Sequence, residues 1–338
     1  MTKPTYRLLF NENPLGPSPK VIETINRQAP HLGLYPDRDD EALRQVLSNF
    51  YGNGLTPDYF YSTYSGFEAL DLVARIYLSP GDEYIVCSPT FGIYQATAGW
   101  QDAKLVDVPL DPIHYTLQVD DILAAVNERT RIIYLGNPNN PTGTIITQDE
   151  MDRLYAGLPE RILVVTDEVY HHFVKNPTYP DSLAAVTAHR NVIVLHSFSK
   201  AYGMAGLRIG VVIARPDIIA QLVLLRRAFH LGSIEMEAAI TAIGDQDHIN
   251  KSVDLATASK QFLYDHFNRM GLTFWPSETN FVLVRVPLPS VEVADRLAKE
   301  GVLITPGAHF RIPDCIRVSI GLPEANEAFI QALETILP

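Results

Sequence analysis

Residues 162–170 read ILVVTDEVY. The run begins with four apolar residues and shows none of the alternation of a half-exposed strand, which is typical of a strand buried on both faces of a sheet. Four further segments have a strand-like composition: Glu83 to Cys87, Lys104 to Val108, Ile132 to Leu135 and Asn191 to His196. Together they predict a buried central sheet.

Helical patterns lie around and between these strands. The main ones are Asp39 to Phe50, Ser65 to Leu78, Asp120 to Asn127, Gln148 to Ala156 and Ser233 to Ile243. Strands that alternate with helices predict an α/β fold with a mostly parallel sheet covered on both faces.

A second, smaller unit follows in the last third of the chain. Short strand patterns occur at Phe281 to Val284, Val302 to Ile304 and Ile316 to Ser319, and a final helix begins near Pro323. This pattern favours a smaller α+β domain, as a chain of 338 residues divides into one large and one small domain. We place the large domain at residues 34–244. Residues 1–33, with a loop from Asn11 to Pro19 and a helix from Pro19 to Gln28, form an N-terminal arm, and residues 245–338 form the small domain.

Composition excludes several classes of function. The net charge is -12, and an acidic chain is a poor partner for nucleic-acid phosphates. No apolar run is long enough for a membrane span, and the first residues lack the apolar core of a signal peptide. The two distant cysteines, Cys87 and Cys315, are typical of a reducing compartment. We therefore expect a cytoplasmic protein.

Polar groups follow three of the predicted strands. Asn140 lies in NPNNPTG at residues 137–143, Asp167 and Tyr170 follow the strand at 162–166, and Lys200 ends the segment SFSK at 197–200. In open α/β sheets the ligand site lies beyond the carboxyl ends of the strands. We therefore expect an amide, a carboxylate, a phenol and an amine to meet at one sheet edge.

This set of groups matches the needs of pyridoxal 5′-phosphate. The cofactor needs an amine for its aldehyde, which Lys200 would supply, and a carboxylate at its ring nitrogen, which Asp167 would supply. Asn140 and Tyr170 would donate hydrogen bonds to its ring oxygen.

The phosphate of the cofactor needs backbone N–H groups at a helix N-terminus, hydroxyl groups and a cation. Gly66 and Phe67 lie at the start of a predicted helix, and Ser197, Ser199 and Arg208 are close to Lys200 in the sequence.

The order and spacing of these motifs resemble the fold-type-I aminotransferases over nearly the whole chain. The resemblance rests on NPTG at 140–143, DEVY at 167–170, SxSK at 197–200 with Arg208, and IRVS at 316–319. It implies that Lys200, Asp167 and Tyr170 are catalytic and that Arg317 binds the acidic group of the substrate.

Within that group the chain most resembles the histidinol-phosphate aminotransferases. NENPLGPSP at 11–19 is similar to their opening motif and implies that Asn13 binds substrate. The segment SPTFGIY at 88–94 implies that Phe91 stacks on the cofactor ring. Tyr35, in YPD at 35–37, is similar to the tyrosine that reaches the partner subunit's cofactor phosphate, which implies a homodimer with shared active sites.

The activity implied by the resemblance is the transfer of an amino group from an amino acid or amino-alcohol phosphate to a 2-oxo acid such as 2-oxoglutarate. Three segments depart from the group's pattern: Phe229 to Ser233, Thr305 before Pro306, and Ala328 in the last helix, where the group often has arginines or a different polar stretch. A broad aromatic transaminase and a decarboxylase of the threonine-phosphate type therefore stay open as alternatives. A non-catalytic binding protein is disfavoured because Lys200 is present.

Plain structural roles compete with the functional ones. Asp167 could be a helix N-cap and residues 140–143 only a turn, while Phe91 could belong to the core and Arg317 to a surface ion pair. Four histidines, His171, His172, His196 and His309, suggest a metal site. His171 and His172 are adjacent, and because adjacent side chains do not face one site, we expect structural or exposed roles for all four and no metal.

Overall fold

The structure is a computed structural model and describes residues 5–188 and 190–338. Its strands are β1 (Tyr6–Leu8), β2 (Phe60–Thr63), β3 (Glu83–Val86), β4 (Lys104–Asp107), β5 (Thr130–Gly136), β6 (Leu163–Asp167), β7 (Val192–Ser197), β8 (Gly210–Ala214), β9 (Phe281–Arg285), β10 (Val302–Pro306) and β11 (Cys315–Ser319). Its α-helices are α1 (Pro19–Gln28), α2 (Glu41–Tyr51), α3 (Ser65–Tyr77), α4 (Ile93–Gly99), α5 (Val119–Ala125), α6 (Gln148–Gly157), α7 (Ser182–Thr187), α8 (Pro216–Leu224), α9 (Ser233–Ile243), α10 (Gln246–Arg269), α11 (Ser290–Lys299) and α12 (Pro323–Ile336).

The larger sheet has seven strands in the order β2-β8-β7-β6-β5-β3-β4. All neighbours from β4 to β7 are parallel, whereas β8 runs antiparallel to both β7 and β2. The predicted α/β class with a mostly parallel sheet is confirmed. Strands β2 and β8, which form the antiparallel pair, were not among the predicted strands.

Successive residues of the central strands enter two different hydrophobic cores. Val164 and Val194 belong to the core on one face of the sheet, and Val165 and Leu195 to the core on the other. All five residues of β6 are buried. The absence of alternation in residues 162–166 therefore reflects burial on both faces.

The smaller sheet has the order β1-β10-β11-β9 and a hydrophobic core of its own. Strand β1 comes from the N-terminal arm and pairs in parallel with β10, with Tyr6 opposite Val302. Helix α1 begins after the N-cap Ser18 and contacts α9 through a 3.1 Å hydrogen bond between the hydroxyls of Thr24 and Thr241. The arm thus contacts both units, and the division at residue 244 stays a prediction.

None of the helices in residues 5–188 and 190–338 is both long enough and apolar enough to cross a membrane.

Candidate active site

A cavity of about 460 Å³ lies at the carboxyl ends of β5, β6 and β7. Residues of the arm, of the large unit and of β11 all contribute to its wall. Most of the site residues predicted from the sequence line it: Gly66, Phe67, Phe91, Asn140, Asp167, Tyr170, Ser197, Ser199, Lys200, Arg208 and Arg317.

Lys200 lies three residues after the last residue of β7, Ser197, and reaches across the cavity to the arm. Its Nζ donates hydrogen bonds of 3.1 Å and 3.3 Å to the backbone oxygens of Phe10 and Asn11. It also lies 5.5 Å from the centre of the Tyr170 ring. Burial lowers the pKa of Lys200 to about 7, and the positive charge of Arg317 acts in the same direction. A large share of the amine is therefore neutral, and so nucleophilic, near neutral pH.

Asp167 ends β6 with its carboxylate in the cavity. The hydroxyl of Tyr94 donates a 2.9 Å hydrogen bond to Oδ2, and the Val169 N–H is 3.4 Å from Oδ1. Burial raises the pKa of Asp167 to about 6, and the bond from Tyr94 opposes that rise. A buried carboxylate of this kind is stabilised by a cation placed against it, such as a protonated ring nitrogen.

Arg317 projects from β11 and is held on two sides. Its Nη1 donates to Oδ1 of Asn140 at 2.5 Å, and its Nη2 donates to the Leu9 oxygen at 2.6 Å and to the Thr305 hydroxyl at 3.1 Å. Its Nε is buried and has no hydrogen-bond partner within the described residues. Burial lowers the pKa of Arg317 to about 10. This guanidinium, oriented and only partly satisfied, is suited to an anionic group in the cavity.

The first turn of α3 forms a second anion-binding feature. Ser65 has a φ of 80°, which turns the chain so that Gly66 and Phe67 line the cavity. A Cβ at Gly210 would lie 2.8 Å from the Gly66 nitrogen, so only glycine lets β8 approach this turn. Arg208, with a φ of 57°, donates to the Ala205 oxygen at 3.0 Å. Backbone N–H groups, nearby hydroxyls and one arginine fit a phosphate.

Tyr170 follows β6 on the same side of the cavity as Lys200. Its hydroxyl oxygen accepts a 2.9 Å hydrogen bond from Nδ2 of Asn11. Burial raises the pKa of Tyr170 to about 12, so the phenol keeps its proton over the physiological range. Asn11 was not predicted as a site residue, because nothing in its local sequence indicates which strand it will face.

Two predicted site residues lie outside this cavity. The side-chain amide of Asn13 donates to the Ala201 oxygen at 2.9 Å and to the Ser252 hydroxyl at 2.8 Å, while Asn11, two residues earlier, lines the cavity. Tyr35 is 85% exposed, with its ring 5.0 Å from that of Phe229. Neither Asn13 nor Tyr35 is among the residues that line this cavity.

Tyr94, Glu12 and Thr305 were also not predicted as site residues. Tyr94 and Glu12 line the cavity, and Thr305 holds Arg317. The three-residue spacing between Phe91 and Tyr94 was the only sequence signal that the two rings lie on one side of a helical turn. Of the other departures from the family pattern, Ala328 lies in α12 and Phe229 is exposed just before α9.

The expectation that His171 and His172 cannot face one place was wrong. They lie in a single turn of 3₁₀-helix, and their ring centres are 3.8 Å apart. The His171 ring also stacks on that of His196 at 3.8 Å, and the Tyr51 hydroxyl lies 2.6 Å from Nδ1 of His196. Burial lowers the pKa of all three, so they are neutral packing groups. In the described part of the chain no cluster of three or more histidine, cysteine or carboxylate side chains could hold a metal ion.

Comparison with known proteins places the whole chain in one family. Residues 5–333 match the family described as aminotransferase class I and II. A histidinol-phosphate aminotransferase of Moorella thermoacetica is 38% identical over 99% of this chain and 86% of that protein. One from Caldicellulosiruptor saccharolyticus is 38% identical over 98% of this chain and 91% of its own length. The crystal structure of the Sinorhizobium meliloti histidinol-phosphate aminotransferase in complex with pyridoxal 5′-phosphate superposes with a TM-score of 0.90, at 26% identity, over 98% of this chain and 91% of that one.

Proposed function

This chain belongs to the class I and II aminotransferases and uses pyridoxal 5′-phosphate, and on that premise we propose that it moves the amino group of histidinol phosphate to 2-oxoglutarate. The observation that carries the proposal is the joint placement of Lys200, Asp167 and Arg317 around one cavity. Two relatives that are 38% identical over almost the full chain are named histidinol-phosphate aminotransferases. Their names favour histidinol phosphate as the donor over an aromatic amino acid, and transamination over decarboxylation of threonine phosphate.

The residues present fit the cofactor group by group. Asp167 would hold the proton of the ring nitrogen, and Asn140 and Tyr170 would donate to the ring oxygen. The first turn of α3, with Ser197, Ser199 and Arg208, would hold the phosphate. Phe91, which lines the cavity and is partly exposed, would cover one face of the ring. When bound, the cofactor supplies an electron sink that stabilises negative charge at the substrate Cα.

The chain's own residues then carry out binding and proton transfer. Arg317 would bind the acidic group of the donor through its free Nε and fix the direction in which Cα faces. The amine of Lys200, partly neutral near pH 7, would take the proton from Cα of the donor and would deliver a proton to Cα of the second substrate in the other half of the cycle. The enzyme keeps the amino group after the first product leaves and before the second substrate binds, so the kinetics should be ping-pong.

The proposed assembly is a homodimer in the cytoplasm. Tyr35 is exposed in the single chain, and the neighbouring Leu32 and Leu34 are 63% and 71% exposed. Large apolar side chains at this exposure are typical of an interface with another protein chain. A second copy would cover them and bring its Tyr35 to the cofactor phosphate.

Substrate profiling tests the proposal. Purified holoenzyme should show a far higher kcat/KM with histidinol phosphate than with phenylalanine or tyrosine, and double-reciprocal plots against 2-oxoglutarate should be parallel. Comparable rates with phenylalanine would replace the proposed donor by an aromatic amino acid. Release of carbon dioxide from threonine phosphate without any keto acid would replace transamination by decarboxylation.

A further inference from the structure

Asn11 occupies an unusual position in the arm. It is 1% exposed, has a φ of 55°, and uses both ends of its side chain in buried hydrogen bonds. Asparagine is one of the few residues that adopt this left-handed conformation at low cost. A buried polar residue in such a restricted conformation is held there by specific contacts, and these determine its role at the cavity wall.

The hydrogen bonds around Asn11 have a defined direction. Its backbone N–H donates to the Ser319 hydroxyl at 2.8 Å, and that hydroxyl donates to Oδ1 of Asn11 at 2.9 Å. Oδ1 therefore faces Ser319, and Nδ2 faces the Tyr170 oxygen at 2.9 Å. If the Asn11 amide were flipped, the Ser319 proton would have no acceptor among residues 5–188 and 190–338. The observed orientation of the amide gives this proton an acceptor and is therefore favoured.

This direction determines where the Tyr170 proton points. The Tyr170 oxygen accepts from Asn11, and within the described residues its proton has no protein acceptor. A phenol has a single proton, so that proton is left to be donated into the cavity. Backbone contacts hold Asn11 in place, because its carbonyl oxygen accepts hydrogen bonds from Asn280 at 3.0 Å and from Lys200 at 3.3 Å.

We infer that Asn11 is a positioning residue that aims the Tyr170 proton at the ring oxygen of the cofactor. The relay runs from Ser319 through the Asn11 amide to Tyr170, so a residue of the small sheet controls a donor at the end of β6. This inference rests on the proposed function, since it takes Tyr170 as a donor to the bound group.

The pH midpoint of the visible absorption band of the holoenzyme provides a test that does not depend on activity. That band reports the protonation of the link between Lys200 and the cofactor. A hydrogen bond donated to the ring oxygen withdraws electron density and lowers the midpoint, so Tyr170→Phe should raise it. Asn11→Gly removes the side chain without strain at a positive φ, and should raise the midpoint in the same direction by about half a pH unit.

Asn11→Asp reverses the relay at constant size. A carboxylate accepts the Tyr170 proton and draws it away from the cavity, so this variant should raise the midpoint more than Asn11→Gly does. Placing each Asn11 change in the Tyr170→Phe background removes the relay and leaves only the direct effect of the added charge. The Asn11→Gly shift should vanish in that background.

Ser252→Ala serves as the matched control. It removes a contact that holds the arm at Asn13 and leaves the Asn11 contacts intact, so it should lower the thermal stability without moving the midpoint. A midpoint unchanged in both Asn11 variants, or an Asn11→Gly shift of equal size with and without Tyr170, would overturn the inference while leaving the proposed function in place. A midpoint insensitive to Tyr170→Phe would also overturn the inference alone, whereas a wild-type holoenzyme without such a band would overturn both.

Discussion

The hydroxyl of Tyr94 donates a 2.9 Å hydrogen bond to Oδ2 of Asp167, from a ring that is 2% exposed and stacked on that of Tyr134 at 5.5 Å. This bond opposes the effect of burial on Asp167 and favours its charged form. The charge on Asp167 is what would hold a protonated ring nitrogen in place.

Replacement of Tyr94 by phenylalanine should weaken cofactor binding by roughly tenfold, the effect of a lost hydrogen bond to a charged group. The pKa of Asp167, about 6 in the wild type, should rise further, so the loss should be larger at pH 6 than at pH 8. Titration of the apoenzyme with the cofactor at both pH values measures the effect. Tyr134→Phe is the control, since its buried hydroxyl has no hydrogen-bond partner within the described residues. Equal losses in the two variants would contradict the role given to the Tyr94 bond.

The pKa of Lys200 leads to a prediction about cofactor uptake. Burial lowers it to about 7, and only the neutral amine attacks an aldehyde. The rate of cofactor capture by the apoenzyme should therefore rise with pH through a midpoint near 7 and level off above it. Stopped-flow absorbance from pH 5.5 to about 10 follows this rate. A rate that continues to rise towards the ordinary lysine range would show that the amine is solvated and unperturbed.

Arg317→Gln should raise the KM for the amino donor and lower kcat/KM by roughly 30- to 150-fold, the effect of about 2–3 kcal/mol from charge-assisted hydrogen bonds. The absorption band of the bound cofactor should be retained. Arg285→Gln is the matched control, because Arg285 lies one strand away and forms a 2.8 Å ion pair with Asp314 at the surface. If Arg317→Gln and Arg285→Gln lower kcat/KM for the amino donor by the same factor, Arg317 does not bind the substrate.

The proposed sharing of active sites can be tested with two defective homodimers. Tyr35→Ala retains Lys200, and Lys200→Ala retains Tyr35. If Tyr35 acts in the partner's site, a mixture that exchanges subunits regains activity in up to about a quarter of its sites. Without subunit exchange, the activity of the mixture should equal the sum of the activities of the two defective homodimers. The same result is expected if Tyr35 acts within its own chain. Light scattering of the mixture confirms that it is dimeric.

The sequence predicted the central sheet well because burial on both faces leaves a strong local signal. The run at 162–166 became β6, and Asp167, Tyr170 and Lys200 meet at one edge because parallel strands end together. Contacts made by the arm left no such signal. Asn11 and Asn13 are both asparagines in the same loop, and only the three-dimensional path of the chain decides which of them faces Tyr170.

The ring contacts of His171 and His172 could not be predicted from the local sequence either. The prediction that adjacent side chains do not face one site considered only the backbone directions, but the two ring centres are 3.8 Å apart and the His171 ring also stacks on that of His196. The partner against which a ring packs, such as His196 here, is distant in the sequence, so a local pattern does not reveal it.

The attachment of the cofactor to Lys200 is the central claim, and reductive trapping tests it most directly. The holoenzyme is treated with borohydride, digested and mapped by mass spectrometry, with Lys260 as an internal comparison because it is also a buried lysine, outside the cavity. We expect the reduced cofactor on the peptide that contains Lys200 and on no other, and its loss in Lys200→Ala. A protein that carries the cofactor on another lysine, or that takes up none, would contradict the account of this site.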